Sequence, residues 1–374
     1  MSNPSPVLST IIFVFTLQAI LLSGLLLAKR PRSQSNVFLA LVVFFFALMA
    51  LNIALVNVLI SYDIFYVFRY VQLELLFGIG PALYFYTRSI TDQGFRFSKK
   101  DWVHFLPVAL EIVFYRTSIY RLGADGMYDD VPHPFTSIYL AEQWFGILSI
   151  TVYTIFSLRR LYRHHRWLQD HYSNIEDRSL RWLTLPVIVY SGFWIGWMLL
   201  TEIDRFVFDR TLREYYFLPT FVGLAVVTCW IGFRGYMRSH LQVDIKQPED
   251  SKTQVNPPNA EQLQRLNELM KSQRPYLDSD LDLSRLSELL GLNPRQVSAL
   301  INQSFGQNFY EYINDHRVEA FKERMSREDR DRLTLLGHAY ECGFKSKSTF
   351  NHVFKKATGQ TPGEYAKAQK NKSE

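Results

Sequence analysis

A chain of 374 residues is long enough for two or more domains, and its formal net charge of +6 suits nucleic acid or anionic lipid without deciding between them. Two cysteines exclude a disulfide framework and no Cys/His spacing resembles a zinc site, so Cys229 and Cys342 are expected to be reduced packing thiols. The 48% hydrophobic content averages two unlike parts: residues 1–238 hold nearly all the long apolar runs, whereas 239–374 are polar and charged.

The chain opens with "VLSTIIFVFTLQAILLSGLLLA", residues 7–28, which contains no charged residue and is followed by Lys29-Arg30-Pro31-Arg32. A signal peptide carries its basic residues before the apolar stretch and a small-residue cleavage site after it. This run is therefore expected to stay in place as a membrane helix. A spanning helix needs roughly 20 mostly apolar residues. Seven stretches come close to that: 7–28, 37–60, 66–87, 102–118, 137–158, 182–202 and 215–235.

Lys and Arg in the short loops orient such a bundle, because they stay on the cytoplasmic side. With the N-terminus outside, the inner loops hold Lys29, Arg30, Arg32, Arg88, Arg96, Lys99, Lys100, Arg159, Arg160, Arg163, Arg166, Arg178 and Arg181. The outer loops hold Arg121, Arg205, Arg210 and Arg213, with Arg116 at an edge. Thirteen against four or five predicts a multi-pass membrane protein with an outside N-terminus and a cytoplasmic C-terminal domain.

Ionisable groups at membrane depth are costly and face a bundle interior or a cavity. Arg69, Glu74, Glu111 and Glu142 are the candidates for a ligand pocket or switch. Glu74 lies four residues before "GIGP", 78–81, where Pro81 removes a backbone bond. An intramembrane Arg–Glu pair that holds helices together explains these residues equally well. "GFWIG", Gly192 to Gly196, fits a close helix contact, within one bundle or between two copies. His164-His165, in the most basic inner loop, reads as a solvated face against acidic lipid rather than a metal site. No Gly-rich phosphate loop, H-E-x-x-H or G-x-S-x-G motif occurs, so neither an enzyme nor a cofactor is expected.

Residues 239–261 include Pro248, Pro257 and Pro258, show no apolar period and read as a linker to a soluble domain at 262–374. A helix from about 261 to 272 presents Leu263, Leu266, Leu269 and Met270 on one face. In "LDLSRLSELLGLNPRQVSALINQSFG", 281–306, Asp282 caps a helix that Gly291 stops, and Asn293-Pro294 starts a second. That second helix buries Val297, Leu300 and Ile301 and turns Arg295, Gln296, Ser298 and Asn302 outward. The pattern recurs 52 residues later, with Thr334, Gly343 and Ser346 as cap, stop and cap. There Phe350, Val353 and Phe354 face inward, and Lys347, Ser348, Asn351 and His352 face out. Between the units, 308–325 reads as one helix with Phe309, Tyr312, Ile313, Val318, Ala320 and Phe321 as its apolar stripe. Two helix-turn-helix units on a rigid rod would enter successive major grooves, about 34 Å apart.

The stretch "ECGFKSKSTFNHVFKKATGQTPGEY" resembles the signature of the AraC/XylS family of bacterial transcription regulators, through Cys342-Gly343-Phe344, Ser348, Phe350, Phe354-Lys355-Lys356, Gly359, Thr361-Pro362 and Tyr365. The resemblance extends over roughly 262–369, and it departs from the usual pattern at Lys345 and Ala366. It implies that the outward faces of both second helices read bases, through Arg295, Gln296 and Ser298 in one unit and Lys347, Ser348, Asn351 and His352 in the other. It implies phosphate pairing for Lys355 and Lys356.

The expected fold is thus all-α, a multi-span transmembrane sensor followed by a double helix-turn-helix domain. The expected partners are double-stranded promoter DNA, the lipid bilayer, RNA polymerase, an unidentified small-molecule or envelope signal and a second copy of the chain in a homodimer. A seven-helix receptor or transporter whose tail docks a protein partner is the alternative.

Overall fold

The computed structural model describes residues 6–31, 33–59, 75–92, 94–117, 136–209, 211–238, 259–326 and 333–373. Regular structure among them is helical, with one isolated antiparallel bridge, Tyr172 with Asp282. The chain divides into two compact units, Met1–Tyr162 with Leu180–Lys246 and Arg163–Ser179 with Gln247–Glu374.

The first unit contains α1 (Pro6–Ala28), α2 (Gln34–Leu59), α3 (Leu76–Thr91), α4 (Leu106–Thr117), the greater part of α5 (Thr136–His171), α6 (Arg181–Val207) and α7 (Arg213–Arg238). α1, α2 and α7 pack on one another, and α2 also packs on α3. Phe46, Phe85, Tyr190, Trp194, Phe221 and Ile231 form the centre of its core. The outer face is apolar as well: on α1, Ile12, Ala19 and Leu26 are buried while Val14, Leu17 and Leu21 are 57%, 53% and 61% exposed. A helix apolar all round suits the interior of a large protein or a bilayer.

Among the described residues four helices are long and apolar enough to cross a membrane: Thr10–Ala28, Gln34–Leu51, Arg181–Val207 and Pro219–Met237. They coincide with four of the seven expected spans. In the expected span 66–87, residues up to 74 lie outside the described residues, and the remainder belongs to α3, only 16 residues long with Pro81 inside it. In the span 102–118, a 3-10 helix, Lys99–Phe105, precedes the 12 residues of α4. The span 137–158 lies within the 36 residues of α5, whose later turns carry Arg159, Arg160, Arg163 and Arg166.

Gly192 and Gly196 meet nothing within 4 Å among the described residues, which leaves a contact between two copies as the other expected alternative. One local reading is corrected. His164 is buried, not solvated, and its ring lies 6.2 Å from that of Trp167 in a stacked arrangement.

The second unit contains α8 (Ala260–Ser272), α9 (Leu283–Leu290), α10 (Pro294–Phe305), α11 (Phe309–Met325), α12 (Leu335–Glu341), α13 (Lys347–Thr358) and α14 (Pro362–Ser373). Its helix starts are encoded locally: Asn259, Asp282, Asn293, Asn308, Thr334 and Ser346 each accept a backbone N–H of the first turn. One core joins the two helix pairs, with Leu286, Val297 and Ile301 from the first, Phe350 and Phe354 from the second, and Phe321 from α11 between them in sequence. Phe321 lies 4.8 Å from Phe350 and 5.3 Å from Phe354, ring centre to ring centre. Both cysteines are free and buried.

The equivalent glycines are held for different reasons. Gly291 and Gly343 both have positive φ, 65° and 90°. A Cβ on Gly291 would meet open space, whereas one on Gly343 would lie 2.5 Å from the carbonyl oxygen of Tyr276.

The second unit also takes in 163–179, a stretch the sequence places with the membrane part. Ser173 explains this: its N–H and its Oγ both donate to the carbonyl of Leu281, at 3.3 and 2.5 Å.

Candidate nucleic-acid interface

α13 is the clearer of the two candidate reading helices. Phe350, Val353 and Phe354 are buried, which leaves Lys347, Ser348, Asn351, His352, Lys355 and Lys356 exposed on the opposite face. The lysines differ. Lys356 Nζ sits 2.7 Å from Glu311 Oε1, and the hydrogen bond from Lys356 holds that carboxyl below its ordinary range. Lys345, one of the departures from the family pattern, is paired with Asp280 through its ammonium.

In the first helix-turn-helix, α10 buries Val297, Leu300 and Ile301 as expected. Arg295, Gln296 and Ser298 are only half-exposed, however, while Asn302 is exposed. Gln296 also has a structural task. Its Oε1 accepts the Asn293 N–H at 3.1 Å, and its own N–H donates to Asn293 Oδ1 at 2.9 Å. This reciprocal capping box engages the oxygen that an amide reader would offer to a base.

The sequence reading did not anticipate three further groups. Arg317, on α11, is fully buried, and each of its N–H groups donates to an oxygen. Nε reaches Tyr276 O at 2.7 Å, and Nη1 reaches Ser173 O at 3.2 Å and Asn314 Oδ1 at 3.4 Å. Nη2 reaches Ser173 Oγ at 3.0 Å and Asp278 O at 2.8 Å. Burial lowers its pKa to about 10, so the group stays cationic at neutral pH. Asn314, also buried, donates to Ser173 O at 3.2 Å. Glu176 lies at the first turn of α13: Ser348 Oγ donates to its Oε1 at 2.5 Å, Thr349 Oγ1 to its Oε2 at 2.9 Å, and Ser346 Oγ to the same Oε2. Those bonds, that of Ser346 foremost, hold its carboxyl below the usual range. The one available sequence signal was an acidic pair, Glu176-Asp177, in a loop rich in arginine.

The intramembrane candidates resolve unevenly. Arg69 and Glu74 lie outside the described residues. Glu111, buried on α4, accepts the Leu76 and Phe77 N–H groups at 2.9 and 3.5 Å. It supplies the cap that Leu75, the residue before α3, lacks. Glu142, on α5, is a hydrogen-bonding neighbour of Glu111. Among the described residues no group of three or more His, Cys, Asp or Glu side chains could hold a metal ion.

Residues 286–368 match the family described as a helix-turn-helix domain. Over 90 residues the chain is 33% identical to an uncharacterised HTH-type transcriptional regulator of Staphylococcus aureus (strain COL), covering 24% of this chain and 12% of that protein. Over 88 residues it is 28% identical to the uncharacterised HTH-type transcriptional regulator YtdP of Bacillus subtilis (strain 168), covering 24% of this chain and 11% of the relative. The match thus spans about an eighth of these curated relatives. A solved structure, of a protein of unknown function from Listeria innocua, is 26% identical, covers 27% of this chain and 93% of its own, and superposes with a TM-score of 0.24. The C-terminal part of the chain carries an AraC-type helix-turn-helix domain, and the proteins similar to it there are named as transcription regulators.

Proposed function

We propose that the chain is a membrane-anchored, sequence-specific transcription regulator. Residues 1–238, the sensor part, hold it in a bacterial inner membrane, and residues 262–374 bind promoter DNA. The observation that carries the reading is the polar and basic outer face of α13 opposite its buried aromatic residues, in a domain that matches the helix-turn-helix family. An apolar outer face would have favoured a protein-docking tail. The exposed apolar residues of α1 and α6 support the membrane, because water would not tolerate them over such an area. Signal sensing, recruitment of RNA polymerase and a homodimer belong to the same proposal. For the homodimer, Gly192 and Gly196 offer a close approach that nothing among the described residues uses. The reading is non-enzymatic.

The test is equilibrium binding of the full chain, in lipid nanodiscs, to a pool of randomised duplex DNA at a series of salt concentrations. Log affinity should fall linearly with log salt, and selection should enrich a recurring site. Failure to bind any duplex at low salt would sink the regulator reading.

A further inference from the structure

The segment between α5 and α6 enters the second unit at two places. Ser173 is the anchor. It bonds Leu281 twice, and its oxygens take hydrogen bonds from Asn314 and from both terminal nitrogens of the buried Arg317. Tyr172 adds the bridge to Asp282. Glu176 is the second contact, three residues on. Its two carboxylate oxygens take three hydroxyl donors, all from the first turn of the second reading helix or its cap. Loops seldom give up an acidic side chain to such a place without a reason of charge. A helix N-terminus carries partial positive charge and serves negative groups of any origin. Lys347 is exposed on the same first turn.

A backbone phosphate of DNA has the same needs as this carboxylate: negative charge, several acceptor oxygens and short donors in fixed directions. It would approach the same surface if α13 entered a major groove by its N-terminal residues. We propose that Ser346, Ser348 and Thr349 form a phosphate seat for the DNA backbone, and that Glu176 occupies this seat when the segment 172–179 is docked, so that docking and DNA binding exclude each other. The inference rests on the DNA-binding reading above. Ser173 fixes the segment, and Glu176 makes the exclusion. The segment follows α5 and precedes α6 without interruption, so a displacement of either helix end reaches the seat through a few residues of main chain. The stretch is thereby a means of regulation as well as a competitor.

Removing the Glu176 charge would favour DNA for a trivial reason too, since any lost negative charge near a polyanion does so. Asp177 provides the comparison: it is the next residue, is exposed and makes the same change of charge when replaced by its amide. The experiment measures binding of the full chain in lipid nanodiscs to the randomised duplex pool for the parent, Glu176→Gln and Asp177→Asn. Glu176→Gln should tighten binding about tenfold, the factor expected when roughly nine chains in ten have the seat blocked, and Asp177→Asn by less than about twofold. In the parent chain, amide hydrogen exchange across 172–178 should be slow without DNA, starting with the Ser173 N–H, and should quicken when duplex saturates the protein. Equal effects of the two variants, or exchange that DNA leaves unchanged, would overturn the proposal. If neither the parent nor Glu176→Gln binds duplex at low salt, the DNA-binding reading itself fails and the seat fails with it.

Discussion

Arg317 grips Ser173 at two points, one terminal nitrogen on its carbonyl at 3.2 Å and the other on its hydroxyl at 3.0 Å, although 144 residues separate them. A buried guanidinium without a carboxylate is unusual. Here it is made tolerable because oxygens from the stretch after α8, from α11 and from the inner loop satisfy it together.

Replacing Arg317 by Met should therefore cost about 3 kcal/mol or more, because several buried oxygens lose their donor at once. Arg317→Lys should recover only part of it, since an ammonium cannot reach five directions. Urea unfolding of the full chain, followed by hydrogen exchange in α11, reads the difference. An unchanged midpoint for Arg317→Met would contradict the account.

The paired glycines predict unequal outcomes. Gly291→Ala should cost about 1–2 kcal/mol, the penalty of a left-handed residue with a Cβ. Gly343→Ala adds a clash with the Tyr276 main chain and should be worse by a further 1 kcal/mol or more, on the scale of forced overpacking, roughly 1–3 kcal/mol. Asn should rescue position 291, since it tolerates positive φ, and not position 343. Thermal melts of the four variants decide it.

Base readers and phosphate contacts should separate in a binding scan over randomised duplexes. Asn351→Ala and Arg295→Ala should each cost about 1–3 kcal/mol and relax preference at one or two base pairs. Lys355→Ala should weaken all sequences alike and lower the salt slope by about one unit. Lys356→Ala should do less, because Glu311 already holds that ammonium and must be displaced first. Gln296→Ala should act on stability through the capping box. A loss of base preference in Gln296→Ala at unchanged stability would reverse that assignment.

Acid should weaken the second unit in two steps. Burial among Tyr276 and Tyr312 pulls the His316 pKa below its ordinary 6.5, so protons bind the unfolded chain first and stability falls as pH drops below 6.5. Glu311, Glu176 and Asp280 are depressed instead, by hydrogen bonds from Lys356, Ser346 and Lys345 foremost. Their contribution is intact above the ordinary values of 4.5 and 3.8 and is lost as pH falls through the lowered ones. Melting temperature against pH should lose its first step in His316→Gln and have a shallower second step in Lys356→Met.

Orientation can be read with a reporter enzyme active only outside the cytoplasm. Fused at residue 3 it should be active, and fused after residue 374 it should be silent. Activity at the second position would remove the domain from DNA.

The second unit was legible because its signals are local. Asp282, Asn293, Ser346 and Gly291 each act within four residues, so caps, stops and inward faces followed from spacing, whereas the close approach of Tyr276 to Gly343 did not. Arg317 and Asn314 were not legible, because in sequence they sit on an ordinary polar helix face and their partners lie far away in the chain. Glu111 was noticed for its charge at an apolar depth. That it closes the start of a helix 34 residues earlier depends on packing, which no periodicity reports. The second task of Gln296 was hidden for the opposite reason: a side chain aimed outward by helical period can still fold back on its own cap.

Three of the five oxygens around Arg317 are main-chain carbonyls, those of Ser173, Tyr276 and Asp278. A carbonyl is the same whichever side chain its residue carries. For the grip alone, therefore, the loop before α9 can change its side chains over evolutionary time, provided its backbone path is kept. What restrains Tyr276, Asp280 and Asp282 is their own packing, pairing and capping. The arginine has no such latitude, and neither does the glycine at 343, against which that same backbone path lies. Descendants of this domain should thus diverge along the loop while these two positions stay fixed.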